Sequence, residues 1–195
     1  MTELVMIRHA TTSWNQTGRL QGHRDIALST SGLNQIKEWR LPYKYSSSIW
    51  IASPLLRAVQ TARGLGCTKL HCETRLIEMD WGDWEGSTLN TLRNKNPKYM
   101  EKMEANGLDF LPPGGESPRQ VQERIRPWLK EIAKYKEAIT AVSHKGVIRA
   151  IYALAINWDF LSPMPIKLDW NCAHVFYLDK DGTPELKRSN VSLLL

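Results

Sequence analysis

The chain has 195 residues, enough for one domain that buries a core without disulfide or metal staples. Its net charge is +6, but the 26 basic residues are scattered among 20 acidic ones, which favours a small anionic substrate over nucleic acid. Three cysteines without C-x-x-C spacing suggest neither a disulfide framework nor a zinc site, and no apolar run reaches the roughly 20 residues that span a membrane. With no leader pattern at the N-terminus, we expect a soluble, cytoplasmic protein without a membrane or nucleic-acid partner.

The first predicted element is a buried strand at residues 4–7, four apolar residues that are followed by Arg8 and His9. An unpaired guanidinium is costly to bury, so Arg8 must reach solvent or face an anion. Ligand crevices in an open α/β sheet lie at the carboxyl ends of its strands, and an imidazole beside a fixed cation suits phosphate. The dipeptide alone is still better explained as a solvated strand end.

A second strand-to-helix junction follows this strand. The elements predicted before it are a polar loop at 16–30, a helix from Ser31 that Pro42 ends, and a strand at 48–52. Ser53 is predicted to cap the next helix, with Pro54 in its first turn. Because a helix N-terminus favours anions, Arg57 in this turn marks a second anion site, although a helix-surface arginine explains the residue alone more simply.

The rest of the chain continues the alternation of strands and helices. The predicted elements are a short strand at 69–73, an aromatic loop at 81–86, two helical pieces at 88–105 broken at Pro97, a helix from Ser117 that Pro127 should kink, a strand at 138–143, a helix from Gly146, and a hairpin of strands at 174–178 and 185–189.

This order predicts an α/β fold in one domain, residues 1–195. We expect a three-layer sandwich with a mainly parallel (mixed) central sheet, helices on both faces and an antiparallel edge near the C-terminus. His144 directly follows the strand at 138–143, as Arg8 follows the first strand. Arg8, Arg57 and His144 should therefore meet at one edge of the sheet.

Six segments, in order along the chain, resemble the motifs of the histidine phosphatase superfamily, the phosphoglycerate mutase-like proteins. They are Arg8–Asn15, Gly18–Gly32, Ser53–Ala62, Glu78–Gly86, Pro113–Ser117 and Val142–Arg149. Each motif is weak alone, whereas the ordered set is specific. The loop at Glu78–Gly86 is similar to the acid loop of α-ribazole phosphatases and broad-specificity phosphatases.

The resemblance implies a metal-independent phosphomonoesterase that needs no cofactor and acts on a small phosphorylated metabolite through a phosphohistidine. It implies His9 as the nucleophile, Glu78 as the proton donor and acceptor, Arg8, Arg57 and a positively charged His144 as ligands of the transferred phosphoryl group, and Asn15, Gln21 and Gly22 as further phosphate-binding residues. These residue types suit the chemistry, because a neutral imidazole attacks phosphorus, cationic donors hold its oxygens, and a carboxyl group can give and take a proton.

Several alternatives stay open at this stage. Taken singly, Glu78 is as well explained as a solvated loop acid, and His144 as a core histidine. The chain could instead be a phosphoglycerate mutase, but mutases carry a longer insertion between the acid loop and the last motif than residues 79–143. A catalytically inactive binding relative is disfavoured because every expected polar position is intact. The physiological ester and a homodimer remain open.

Two positions depart from the family pattern. Ala10 follows the expected nucleophile where glycine is usual, and it would be strained if this site needs a positive φ. Lys145 follows His144 where glycine is usual, and it adds a cation at the rim of the pocket. Residues 80–112 are the part least fixed by the resemblance, and we expect them to cover the pocket and to affect the choice of substrate.

Overall fold

The computed structural model describes residues 1–194. Its strands and helices are β1 (Thr2–Arg8), α1 (Ser13–Gln16), α2 (Thr30–Glu38), β2 (Ile49–Ala52), α3 (Leu56–Gly64), β3 (Leu70–Cys72), α4 (Leu89–Lys95), α5 (Pro97–Glu104), α6 (Pro118–Ile132), β4 (Ile139–Ser143), α7 (Lys145–Ile156), β5 (Cys172–Leu178) and β6 (Pro184–Ser192). The six predicted strands are confirmed, with their ends shifted by at most three residues.

The strands form one mixed sheet in the order β3-β2-β4-β1-β5-β6. β1 and β2 both run parallel to the central strand β4, and β3 runs parallel to β2. β5 is antiparallel to β1 and to β6, which closes the C-terminal hairpin. The predicted α/β class and the antiparallel edge are therefore confirmed.

Alternating side chains of β1 divide the core into two layers. Leu4 and Met6 pack with α6 and α7 on one face of the sheet, and Val5 and Ile7 pack with α2 and α3 on the other. All four side chains are fully buried, and each stabilises the fold by about 1.5–3 kcal/mol relative to an exposed position. This burial on both faces fixes the register of β1, and with it the position of the residues that follow the strand.

The start of α3 differs from the prediction. The helix begins at Leu56, so Pro54 precedes it, and the Ser53 side chain does not cap it; the Ser53 hydroxyl accepts a bond from the Leu55 N–H at 3.3 Å. The Leu56 N–H donates instead to the Asp25 carboxylate at 2.6 Å, so a distant loop supplies an acceptor for this helix end. A local sequence pattern cannot show a cap that comes from elsewhere in the chain.

Two other helices clarify the predictions. The Ser29 side chain caps α2, which begins earlier than Ser31, while Ser117 caps α6 as predicted. Pro127, at which a kink was predicted, lies inside α6, and the helix continues past it to Ile132.

Residues 80–112, called here the cover, share a small apolar core with Leu20. It contains Leu20, Trp84 and Met100, with Trp81 and Phe110 packed against it. The predicted break at Pro97 is confirmed, since this proline begins α5 directly after α4. In the part of the chain that the structure describes, no helix is both long and apolar enough to cross a membrane.

Candidate active site

The carboxyl ends of β1, β2 and β4 bring four of the predicted residues together. The register pairs Arg8 with Ser143, and the His9 N–H donates to the Ser143 carbonyl at 2.9 Å. The ring centroids of His9 and His144 are 5.1 Å apart. Arg57, from the first turn of α3, donates from Nε to Nδ1 of His144 at 3.3 Å. These four residues, called here the strand-end group, lie at one edge of the sheet as predicted.

The tautomer of His9 follows from its hydrogen bond. Nδ1 lies 2.7 Å from the Ala10 carbonyl oxygen, which can only accept, so Nδ1 carries the proton. Burial, with Arg8 and Arg57 nearby, lowers the pKa of His9 well below its usual value. His9 is therefore a neutral imidazole whose Nε2 holds a free lone pair, the form that a nucleophile requires.

His144 is also neutral, which corrects the predicted positive charge. Its Nδ1 accepts a hydrogen bond from Arg57 and so cannot carry a proton. Burial, followed by the charge of Arg57, lowers the pKa of His144 well below its usual value. The single ring proton is therefore on Nε2, and His144 offers one neutral N–H donor.

Arg57 is fully buried and held by backbone. It donates to the carbonyl oxygens of Arg24 at 2.9 Å and Gly22 at 2.8 Å, besides His144. The Gly22 N–H is also occupied, because it donates to the Glu85 carboxylate at 2.8 Å. The role of Gly22 in phosphate binding stays a prediction; in the structure its carbonyl positions Arg57, and its N–H is bound to an acidic residue.

Gln21 and Asn15 lie on the wall of the site. The Gln21 side-chain oxygen accepts from Thr12 at 2.9 Å and from Asn15 at 3.4 Å, which leaves the Gln21 amide nitrogen buried and without a partner. The Asn15 oxygen accepts from the Thr12 N–H at 3.0 Å. Both amide oxygens are therefore engaged, the Gln21 N–H groups are available to the site, and the Asn15 amide keeps one further N–H beside the one it donates to Gln21.

Glu78 is buried at the N-terminal end of α7. Its carboxylate accepts from the Met79 N–H at 2.8 Å and from the Gly146 N–H at 3.0 and 3.1 Å. A side chain at position 146 would overlap this carboxylate, which explains a glycine there. On the outer side, Arg124 donates to the carbonyl of Ile77 at 2.7 Å and fixes the backbone before Glu78. Glu78 is therefore rigidly placed, and the explanation as a solvated loop acid is excluded.

A cavity of about 720 Å³ opens beside these groups. Its lining includes Arg8, His9, Asn15, Gln21 and Glu78, together with residues of the cover and of α7. Arg57 and His144 do not line it, and Arg57 supports His144 from behind. The cover contributes Trp81 and Phe110 to the wall, whereas Trp14 and Trp84 do not reach it.

Unpaired donors characterise this edge of the sheet. Within residues 1–194, the buried side-chain polar atoms without a hydrogen-bond partner are Arg8 Nε, Gln21 Nε2, His144 Nε2, Arg149 Nε and His174 Nε2. All are nitrogen atoms that carry a proton, and all but the last belong to residues at the cavity or directly behind it. Buried donors without acceptors are costly, and an anion with several oxygens would satisfy them.

The sequence analysis missed residues that support the site. Asp25, Glu85 and Arg124 hold its loops, and their only sequence signal is their place within or near the motifs. Arg149 was also missed, although it lies one helical turn after Lys145. Ala10 has no positive φ and is buried beside Thr61, so the expected strain is absent.

The described residues contain no group of three or more histidine, cysteine, aspartate or glutamate side chains placed to hold a metal ion. The available groups around the cavity are instead N–H donors and one carboxylate. Such a set can bind a phosphoryl group, present an imidazole lone pair to it and exchange a proton with a departing oxygen.

Known proteins are similar to this chain in sequence and in fold. The sequence model of the histidine phosphatase superfamily, branch 1, matches residues 4–192. Phosphoserine phosphatase 1 of Hydrogenobacter thermophilus is 32% identical over 168 residues, which cover 82% of this chain and 78% of that protein. Glucosyl-3-phosphoglycerate phosphatase of Mycolicibacterium vanbaalenii is 30% identical over 179 residues, covering 83% and 79% of the two chains. A crystal structure of phosphoserine phosphatase from Entamoeba histolytica superposes with a TM-score of 0.80 at 26% identity, covering 98% of each chain. The chain therefore belongs to branch 1 of the histidine phosphatase superfamily, and it is a phosphoric monoester hydrolase that acts on a small phosphorylated metabolite.

Proposed function

We propose that the protein hydrolyses its ester in two displacements at His9, without a metal ion. The observation that carries this proposal is the fixed tautomer of His9: the Ala10 carbonyl holds the proton on Nδ1, so Nε2 is free to attack. A nucleophile at this position splits one difficult hydrolysis into two easier steps.

In the first step, Nε2 of His9 attacks the phosphorus atom and the bond from phosphorus to the ester oxygen breaks. Arg8 and Gln21 at the cavity, and His144 directly behind it beside His9, offer the unpaired N–H donors that would bind the phosphoryl oxygens as negative charge develops on them. Glu78, in its carboxylic acid form, gives its proton to the departing alkoxide. The products of this step are the alcohol, a phosphohistidine at His9 and an ionised Glu78.

In the second step, a water molecule attacks the phosphorus atom of the phosphohistidine. Glu78 takes a proton from this water, and the bond from phosphorus to Nε2 of His9 breaks. Inorganic phosphate leaves, and both side chains return to their starting forms. The buried carboxylate can serve in both steps because two backbone N–H groups keep it in one place.

Trapping of the phosphoryl group tests this assignment. The enzyme is mixed with a labelled phosphate ester in the presence of EDTA and quenched rapidly, and the labelled peptide is identified. We expect a label on His9 that is stable in base and labile in acid. A His9→Ala variant should carry no label, whereas His71→Ala, which removes an exposed histidine, should be labelled normally. An acid-stable label on Ser53 or Ser143, or a label that requires a divalent ion, would contradict the proposal.

We also propose the wider setting of this activity. Residues 1–195 form one domain, the protein acts in the cytoplasm, and it does not bind nucleic acid. The three cysteines support a reducing compartment, since Cys67, Cys72 and Cys172 are all free. A homodimer is compatible with this proposal, and sedimentation of the purified protein tests it directly.

A further inference from the structure

Two cations of α7 face the cavity without a hydrogen-bond or ion-pair partner. Lys145 and Arg149 are four residues apart, so they lie one above the other on one side of the helix, and both line the cavity. Lys145 is the first residue of α7, where the helix dipole disfavours a positive charge, and a like charge one turn away adds to this cost. Neither side chain forms a hydrogen bond or an ion pair with any residue in the range 1–194.

Aromatic rings hold Arg149 in place but leave its donors unused. The guanidinium carbon lies 5.1 Å from the ring centroid of Trp158 and 4.7 Å from that of Phe160, and these two rings stack at 4.2 Å. The Nε atom is buried and has no partner. Phe160 adopts a φ of 68°, which costs a bulky residue on the order of 1 kcal/mol. The fold keeps this strain at the cavity wall, where it positions an aromatic ring against Arg149.

Lys145 lies among other cations. Its Nζ atom is 5.6 Å from the ring centroid of Trp170, and the guanidinium carbon of Arg8 is 5.8 Å from the same centroid. Burial, with Arg149 and Arg8 nearby, lowers the pKa of Lys145. Glu78 offsets part of this repulsion without pairing with Lys145, so an added negative charge would stabilise this part of the wall further.

The acids of the cavity form no ion pair with these two cations, although the charge of Glu78 acts to raise the pKa of both. Glu104 pairs with Arg93 at 2.8 Å, and Glu78 is bound by backbone N–H groups at the start of α7. The phosphoryl group itself has its own donors at Arg8, Gln21 and His144. Lys145 and Arg149 are therefore an excess of positive charge beyond what the transferred phosphoryl group requires.

We infer that Lys145 and Arg149 form a subsite for a second anionic group on the leaving-group part of the substrate, a carboxylate or a second phosphate. Glu78, which protonates the leaving group, lies against Gly146, between the two cations along the chain. This inference rests on the proposed function, because it takes the departing alcohol to be the part of the ester that lies over the first turn of α7. Lys145, where the family pattern has glycine, makes the subsite a property of this chain.

Paired substrates test the subsite. 3-Phosphoglycerate and glycerol 3-phosphate differ by a carboxylate in place of a hydroxymethyl group, and fructose 1,6-bisphosphate and fructose 6-phosphate differ by a second phosphate. We expect kcat/KM to be about 10- to 100-fold higher for the doubly anionic member of at least one pair, since a charged hydrogen bond is that strong. The pair that shows the preference identifies the second group as carboxylate or phosphate.

Variants assign the preference to these two residues. Lys145→Gln and Arg149→Gln should each reduce the ratio of kcat/KM within the preferred pair by about tenfold, mainly through KM. Lys145→Arg and Arg149→Lys keep the charge and should retain most of the preference. Lys136→Gln is the matched control, since it removes an exposed charge before β4, at the opposite edge of the sheet, and should leave the ratio unchanged. A ratio within each enzyme cancels any general loss of activity.

The outcomes separate this inference from the proposed function. If the wild-type protein forms the His9 phosphohistidine but shows no preference in either pair, the subsite is refuted and the proposed function stands. A preference that survives both glutamine variants also refutes the subsite. If the preference depends on Lys145 and Arg149 but the label lies elsewhere than His9, the subsite stands and the proposed mechanism fails.

Discussion

The strand-end group, which reaches the cavity through Arg8 and His9, and the cover are held in different ways. Backbone fixes the strand-end group: the His9 N–H is bound to the carbonyl of Ser143, and Arg57 is bound to the carbonyl groups of Gly22 and Arg24. The first residues of the cover are also bound by backbone, through Leu20 and Pro113, whereas the rest of it is held by side chains, through its small apolar core and exposed ion pairs such as that of Arg93 with Glu104.

This difference separates the chemical step, which depends on the strand-end group, from the selection of the substrate, which depends on the cover. A group fixed by the sheet keeps its geometry when the surface changes, because moving it requires breaking the register of buried strands. A segment with few buried contacts can open locally at low cost and can vary in sequence without affecting the sheet. We therefore expect substitutions in the strand-end group to remove the chemical step, and substitutions in the cover to change substrate binding.

The largest expected effect is that of His9→Ala. The substitution removes the attacking atom, so turnover should fall on the order of 10⁴-fold or more, as when the nucleophile of a covalent enzyme is deleted. Steady-state hydrolysis of an aryl phosphate measures this loss, and a thermal melt shows that the fold is retained. A variant that keeps a tenth of the activity would show that the strand-end group does not hold the nucleophile.

The same contrast explains what could be predicted from sequence. The apolar run of β1 and the motifs at the ends of β1, β2 and β4 are local patterns, and they correctly brought Arg8, His9 and His144 to one edge. The hydrogen bonds that these residues make could not be predicted in the same way. The neutral state of His144 depends on a hydrogen bond from Arg57, which is 87 residues away in the chain, and no local pattern reports such a bond.

Errors arose where distant segments replace local partners. Asp25 accepts from the first turn of α3 in place of Ser53, and Glu85 binds the Gly22 N–H, a contact that no local pattern indicates. Arg149 was passed over because its sequence context is that of an ordinary amphipathic helix, and only the packed cavity shows that it lacks a partner. The sequence therefore predicts the elements and the chemistry-bearing residues better than it predicts the donors and acceptors they use.

A smaller effect is expected for Glu78→Gln. The amide cannot supply the proton that an alkoxide needs, so hydrolysis of an alkyl phosphate should fall on the order of 10²-fold, whereas the burst with an aryl phosphate should fall much less. Gly146→Ala tests the same group without changing it, because the added methyl group would overlap the Glu78 carboxylate and displace it. Both variants should show the same dependence on the leaving group in rapid-quench assays. Equal losses for both esters would mean that Glu78 only shapes the site.

The buried side chain of His174 should make the stability of the protein sensitive to acid. Burial lowers the pKa of His174 from 6.5 to about 4, so between these values the unfolded chain binds a proton that the folded chain does not. This part of the stability is fully present above pH 6.5 and is lost as the pH falls to 4, on the order of 3 kcal/mol in all. Urea unfolding at pH 7 and pH 5 measures it. His174→Gln, which keeps an acceptor for the Asn190 N–H, should lose less stability than the wild type over this interval; an equal loss would contradict the assignment.

The smallest effect is expected in the cover, for Phe110→Ala. The Phe110 ring lies edge-on to Trp81, with centroids 6.1 Å apart, and its centroid is 5.7 Å from that of Trp84. Removal of the ring therefore loosens the packing of the cover but breaks no hydrogen bond of the strand-end group. We expect KM to rise about threefold and the burst rate constant for an aryl phosphate to change by less than about twofold, because only uniform binding is lost. Tyr135→Ala, which removes an exposed aromatic ring, is the matched control and should change neither constant. A tenfold fall in the burst rate constant at unchanged KM would contradict the separation of chemistry from selection, because it would show that the cover positions the reacting groups.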